Sequence, residues 1–136
     1  MEFLDTNVLV YAASGFPADA GKSQVARSLT RRRDIAISLQ VLQEFYVVAR
    51  HPNKLAFTHE QALEYCRQWR TFKVLEPSLT LFDDAVALSL RYRIGYYDSA
   101  ILAAARQLKC KLVYSEDLTH GQDYHGVRVE NPFRGT

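Results

Sequence analysis

The chain of 136 residues predicts a single α/β domain, residues 1–136, built on a parallel sheet. Three observations carry that expectation. Short apolar runs alternate with longer segments of helical period. The runs are mostly continuous in apolar residues rather than alternating, the pattern of strands buried on both faces. No internal repeat, low-complexity tract or Pro/Gly/Ser linker divides the chain. With 48% hydrophobic and 24% charged residues the composition is that of an ordinary globular domain, long enough to bury a sizeable core without disulfide or metal staples.

Taken in order, Phe3-Leu4 is the first strand. A helix is expected from about Asp19 to the Arg31-Arg32-Arg33 cluster, whose charge suits a helix carboxyl end. Ile35-Ala36-Ile37 is the second strand. Ser38 then caps a helix in which Val41, Leu42, Phe45, Val48 and Ala49 recur at helical spacing up to the stop at His51-Pro52. Thr58-His59-Glu60-Gln61 has the form of a capping box and opens a helix carrying Leu63, Cys66 and Trp69. Phe72 to Leu75 is the third strand, and a helix with Asp83 and Asp84 in its first turns follows from Leu79 to Arg93, ended by Gly95. Tyr97 to Lys109 forms the last helix, striped by Ile101, Leu102, Ala105 and Leu108. Leu112-Val113-Tyr114 and Val127-Arg128-Val129 complete the strands.

Several function classes fall away on composition. A net charge of +2 is too small for a polycation that coats nucleic acid or acidic lipid, so any nucleic-acid site is a local patch. Cys66 and Cys110 have neither metal-ligand nor C-x-x-C spacing and read as reduced thiols. Glu2 and Asp5 stand where a secretory signal wants positive charge, and no apolar run approaches the roughly 18 residues of a membrane span, so a cytoplasmic protein without membrane contact is expected.

Parallel sheets with right-handed crossovers place ligand sites at the carboxyl ends of strands, where helices begin. Asp5 follows the first strand directly; a turn or helix cap is its ordinary role. Glu44, six residues beyond Ser38, falls at the margin of its helix's apolar stripe, where a solvated glutamate is also common. Asp98 is in register with Ile101 and Leu102, so its helix aims a carboxylate inward at the first turn, a costly arrangement unless something pairs with it. Asp117 lies two residues past the fourth strand, with Glu116 as its competitor and a turn in Ser115-Glu116-Asp117 as the plain alternative. In one parallel sheet all of these positions share an edge. Clustered carboxylates raise one another's pKa unless a hard divalent cation neutralises them, which predicts Mg2+ or Mn2+ on oxygen ligands and, with it, phosphodiester hydrolysis.

The stretches Phe3-Leu4-Asp5-Thr6-Asn7-Val8-Leu9-Val10-Tyr11, Leu42-Gln43-Glu44-Phe45-Tyr46, Tyr97-Asp98-Ser99-Ala100-Ile101 and Leu112-Val113-Tyr114-Ser115-Glu116-Asp117-Leu118 together resemble a PIN-domain ribonuclease. Small stand-alone members of that family, like this chain in size, include toxins of the virulence-associated protein C type. The resemblance implies a three-layer α/β/α fold with a five-stranded parallel sheet ordered 3-2-1-4-5, a homodimer, Mg2+- or Mn2+-dependent cleavage of single-stranded RNA, and a cognate antitoxin as partner. It carries catalytic and metal-holding roles to Asp5, Glu44, Asp98 and Asp117. Thr6, Asn7, Ser115 and Glu116 become secondary polar members. Where many such toxins have Asn before the fourth acid this chain has Glu116, which leaves the division of labour between Glu116 and Asp117 open.

RNA approaching an acidic site is assisted by a positive rim, for which Arg67, Arg70 and Lys73 near Trp69, or Arg91 and Arg93 with Tyr96 and Tyr97, are the candidates; a solvated face with Trp69 partly in the core is the plainer alternative. His51, His59, His120 and His125 lack ligand spacing and read as surface or turn residues, the last two near enough to the fourth acid for a substrate contact. Two other functions remain compatible with these residues: a general RNA-processing nuclease without an antitoxin, and a catalytically silent module binding RNA or a partner. Phosphoacceptor receivers, haloacid-dehalogenase-like phosphatases and dinucleotide-binding modules want acid pairs or G-x-G-x-x-G patterns that are absent.

Overall fold

A computed structural model describes residues 1–136. Six strands form one sheet: β1 (Glu2–Leu4), β2 (Ile35–Ser38), β3 (Lys73–Leu75), β4 (Leu112–Tyr114), β5 (Asp123–Tyr124) and β6 (Val127–Glu130), in the spatial order β3-β2-β1-β4-β6-β5. The first five positions run parallel, and β5 joins the edge antiparallel to β6. The expected order 3-2-1-4-5 is therefore present, with one correction: a short sixth strand. His125 and Gly126 both adopt positive φ (54° and 94°) between β5 and β6, the conformation of a tight two-residue hairpin turn. A two-residue strand leaves no periodic trace in sequence.

Six helices connect the strands: α1 (Thr6–Ala13), α2 (Ala20–Thr30), α3 (Leu39–Arg50), α4 (His59–Trp69), α5 (Leu79–Tyr92) and α6 (Tyr96–Gln107). Both faces of β1 and β2 are buried, so helices cover the sheet on two sides, as the α/β/α arrangement requires. No helix is long and apolar enough to cross a membrane.

Most helix starts follow the sequence chemistry. Ser38 Oγ accepts from Val41 N at 3.3 Å, and Thr58 and Gln61 close the expected capping box. Helix α1 is an addition to the expected elements. Its Val8-Leu9-Val10-Tyr11 run favours strand by propensity, yet Asp5 caps it and Val8 and Leu9 are wholly buried. Tertiary burial overrides local preference there. The end of α5 is a second correction: Arg93, at φ 54°, is the left-handed cap, and Gly95 instead opens α6.

The register of β1 and β4 places the chemistry. Phe3 pairs with Val113 and Leu4 with Tyr114, so the next residues, Asp5 and Ser115, leave the sheet side by side. Buried alanines of α6, Ala100 and Ala103 to Ala105, let that helix lie close against the sheet, with its first turn at the same edge.

Candidate functional site

Asp5 sits 5% exposed at the carboxyl end of β1, and two neutral donors hold it. Thr6 N donates to Oδ1 at 2.7 Å and Ser115 Oγ donates to Oδ2 at 2.7 Å. The same Ser115 hydroxyl accepts from Asp117 N at 3.1 Å. Asn7 Nδ2 donates to Asp117 Oδ2 at 3.1 Å. On the other side, Thr6 Oγ1 donates to Glu44 Oε2 at 3.3 Å, and Gln40 Nε2 donates both to Glu44 Oε1 at 2.6 Å and to Tyr97 O at 3.2 Å. One web of hydrogen bonds thus runs from Asp117 through Asp5 and Glu44 to the residue preceding Asp98. It joins the β1–α1 junction, α1, α3, α6 and the segment after β4.

The electrostatics are those of an uncompensated acid cluster. Burial pushes the Asp5 carboxyl up to about 6; its hydrogen bonds to Ser115 and Thr6 pull the other way, and the fields of Asp117 and Glu44 add to the rise. Half-buried Asp98 is also raised, first by burial and then by Asp117 and Glu44, and nothing in its surroundings lowers it. The ion pairs of the protein are Lys22–Glu116, Arg32–Glu2, Arg32–Asp34 and Arg67–Glu64, so no lysine or arginine neutralises Asp5, Glu44, Asp98 or Asp117.

Glu116 and Asp117 divide clearly. Glu116 turns away, accepting from Lys22 Nζ at 2.8 Å and from Tyr11 Oη at 2.7 Å. The Lys22 ammonium stands 4.8 Å from the Tyr11 ring centre, and Phe133 packs edge-on against Tyr11. Asp117 faces the other acids and lines a cavity with Thr6, Asn7 and Glu44.

This all-oxygen donor set, with an excess of negative charge and no internal cation, suits a hard divalent ion. Its geometry is open: no three His, Cys, Asp or Glu side chains are grouped closely enough to hold an ion as they stand. The fit is one of donor type and charge.

The proposed rims fare differently. Trp69 is 4% exposed, its Nε1 without a hydrogen-bond partner, and Lys73 begins β3, at the edge opposite the acids; Arg67 is paired with Glu64. Arg91 is held by His125 Nδ1 at 2.7 Å, just before the amino end of β6 and again away from the acids. Tyr96 and Tyr97 immediately precede Asp98 at the start of α6. His120 Nδ1 accepts from Asn131 N and locks a turn. Sequence reading missed Gln40, Tyr11 and Lys22. Only Gln40 left a signal, standing four residues before Glu44 on one helix face.

Comparison with known proteins agrees with this architecture. The family model described as PIN domain matches residues 3–121. A toxin-antitoxin complex from Klebsiella pneumoniae is 23% identical, with 97% of this chain and 98% of that one covered at a TM-score of 0.70. The Mycobacterium tuberculosis toxin VapC20, which cleaves the sarcin-ricin loop, is 16% identical over 85% of this chain and 88% of that one, at 0.65. VapBC2 from Rickettsia felis, bound to a DNA fragment from its promoter, is 20% identical over 96% and 97%, at 0.63. At such identities the likeness is one of fold. No curated protein matches the chain.

Proposed function

The chain belongs to the PIN-domain family, and on that premise we propose that it is a Mg2+- or Mn2+-dependent endoribonuclease that hydrolyses single-stranded RNA, acting as the toxin of a type II toxin-antitoxin pair. The observation that supports this reading most is the hydrogen-bonded web that joins Asp5, Glu44 and Asp117 and reaches Tyr97, next to Asp98, whose carboxylate feels the fields of Asp117 and Glu44, with no cationic side chain paired to any of the four. These four residues would hold the ion. Bound there, a divalent ion would supply charge neutralisation at the phosphate and would lower the pKa of water toward neutrality.

The chain's own part is orientation. Ser115 and Thr6 fix both oxygens of Asp5, Asn7 fixes Asp117, and Gln40 fixes Glu44. Attack falls to water, because Ser115 Oγ is committed between Asp5 and Asp117 and both cysteines are buried. Lys22 and Tyr11 hold Glu116 aside and so brace the segment that carries Asp117.

The test is cleavage of a labelled single-stranded RNA by the purified chain. Cleavage is expected with Mg2+ or Mn2+, to stop in EDTA, and to be lost in folded Asp98→Asn and Asp117→Asn variants, while Glu116→Gln keeps activity within about ten-fold. Activity that survives EDTA, or an active Asp98→Asn, refutes the mechanism. A folded chain that binds RNA without cleaving it under any metal is instead a silent binding module. Absence of a small antitoxin gene in the neighbouring reading frame turns the reading toward general RNA processing.

A second copy of the chain belongs to the same proposal. Leu79, Phe82, Val86 and Leu90 form an exposed stripe at helical spacing along α5, an apolar face that a partner would cover. Light scattering is expected to give twice the 15.6 kDa chain mass at micromolar concentration; a monomer would contradict it.

A further inference from the structure

The cavity that Glu44 and Asp117 border does not end at the acids. Its volume is about 540 Å³, and its wall also includes Tyr11, Phe16, Asn53, Lys54 and Asp19, whose carboxylate accepts from Ser14 Oγ at 2.6 Å. That is within the range of pockets for one small molecule, about 300 to 1,000 Å³.

Phe16 is 49% exposed and stacks on no other ring, yet its backbone is fixed. Phe16 N donates to Ser14 Oγ at 3.2 Å, Asp19 N donates to Phe16 O at 3.0 Å, and Pro17 restricts Phe16 to its extended conformation. Lys54 is the one cationic residue on the cavity wall, and it takes part in no ion pair. Its loop is equally set: Lys54 N donates to His51 O at 3.0 Å and Asn53 N to His51 Nδ1 at 3.0 Å.

An aromatic ring on a fixed backbone, an ammonium in no ion pair and a side-chain amide, all on the wall that Glu44 and Asp117 also line, are groups that suit one unstacked nucleotide. The face takes the base, the ammonium the phosphate, and the amide a base edge. We infer that this cavity receives a single unstacked nucleobase of the RNA next to the cleaved bond, with Phe16 as its stacking face and Lys54 as the contact to its phosphate. The inference rests on the nuclease reading for what happens at the acids, whereas base binding by Phe16 does not depend on cleavage. It makes the preference for single strands a property of the cavity, since a paired and stacked base cannot enter.

Two measurements on the full chain test it. Steady-state cleavage of a short single-stranded RNA gives KM and kcat for wild type, Phe16→Ala, Phe16→Trp and Lys54→Ala. Fluorescence of the same RNA carrying one 2-aminopurine, titrated with Asp98→Asn protein with and without Phe16→Ala, reports stacking without turnover.

Phe16→Ala is expected to raise KM about 5- to 100-fold, the loss of one stacked base, with kcat within about three-fold; Phe16→Trp restores KM. Lys54→Ala should weaken binding and flatten its salt dependence. Saturable quenching should disappear with Phe16→Ala. Unchanged KM and unchanged quenching in Phe16→Ala, with a melting curve like wild type, overturn the inference and leave RNA cleavage standing. Quenching lost with Phe16→Ala in a chain that cleaves no RNA supports the pocket and refutes the nuclease reading.

Discussion

Asp5→Asn is expected to make the metal-free protein more stable while abolishing RNA cleavage. The Asp5 carboxyl goes from an ordinary 3.8 to about 6 in the fold, chiefly because burial penalises its charge. An acid whose folded pKa lies above its unfolded one binds more protons when folded, so stability falls as pH rises through that interval and is flat above it. The interval corresponds to roughly 3 kcal/mol lost by pH 7. Asparagine carries no charge to desolvate. Its amide donates where the carboxylate accepted from Ser115, so that hydroxyl must find another acceptor, at a cost of about 1 kcal/mol. A net gain of about 2 kcal/mol remains, a rise in Tm on the order of 6 °C in EDTA at pH 7. Thermal melts from pH 4 to 8 should show the wild-type decline between about pH 4 and 6 much reduced in the variant, with Asp98 supplying a residual slope because its carboxyl is raised as well. A variant less stable than wild type at pH 7 would mean that the hydrogen bonds Asp5 accepts from Thr6 and Ser115 outweigh the cost of burying its charge.

Phe45→Ala should have the opposite character, a large loss of stability with the chemistry intact. Phe45 is 0% exposed, and its ring meets Trp69 edge-on at 5.7 Å and Tyr65 at 6.2 Å. Truncating it removes transfer free energy and leaves a cavity between α3 and α4, together about 3 to 5 kcal/mol. Tm should fall by roughly 10 to 15 °C for a chain of this size. Glu44 precedes Phe45 on the same helix, but Thr6 and Gln40 still hold its carboxylate, so cleavage well below the melting point should drop far less than in Asp98→Asn. Val47→Ala, at an exposed position of that helix, is the matched control and should change stability by less than about 0.5 kcal/mol. A melting point within a few degrees of wild type for Phe45→Ala would show that the α3–α4 contact is not part of the cooperative core.

The parallel sheet, most helix boundaries and the carboxylates at strand ends and helix starts are legible in the amino-acid order, since burial on both faces, caps and helical period are local signals that survive without coordinates. Ser38 and the Thr58–Gln61 box are such cases, each cap being a bond between residues three apart. The remainder depends on partners far apart in the chain. Helix α1 forms from strand-prone residues because the core buries Val8 and Leu9. The directions in which Glu116 and Asp117 turn are set by Lys22, Tyr11 and Asn7, all about a hundred positions away. The cavity that joins Phe16 and Lys54 to the acids likewise exists only once α1 and the loop after α3 are brought together. Neighbour chemistry is written in spacing; the direction in which a side chain turns among distant neighbours is set by packing and by the long-range hydrogen bonds and ion pairs that packing permits.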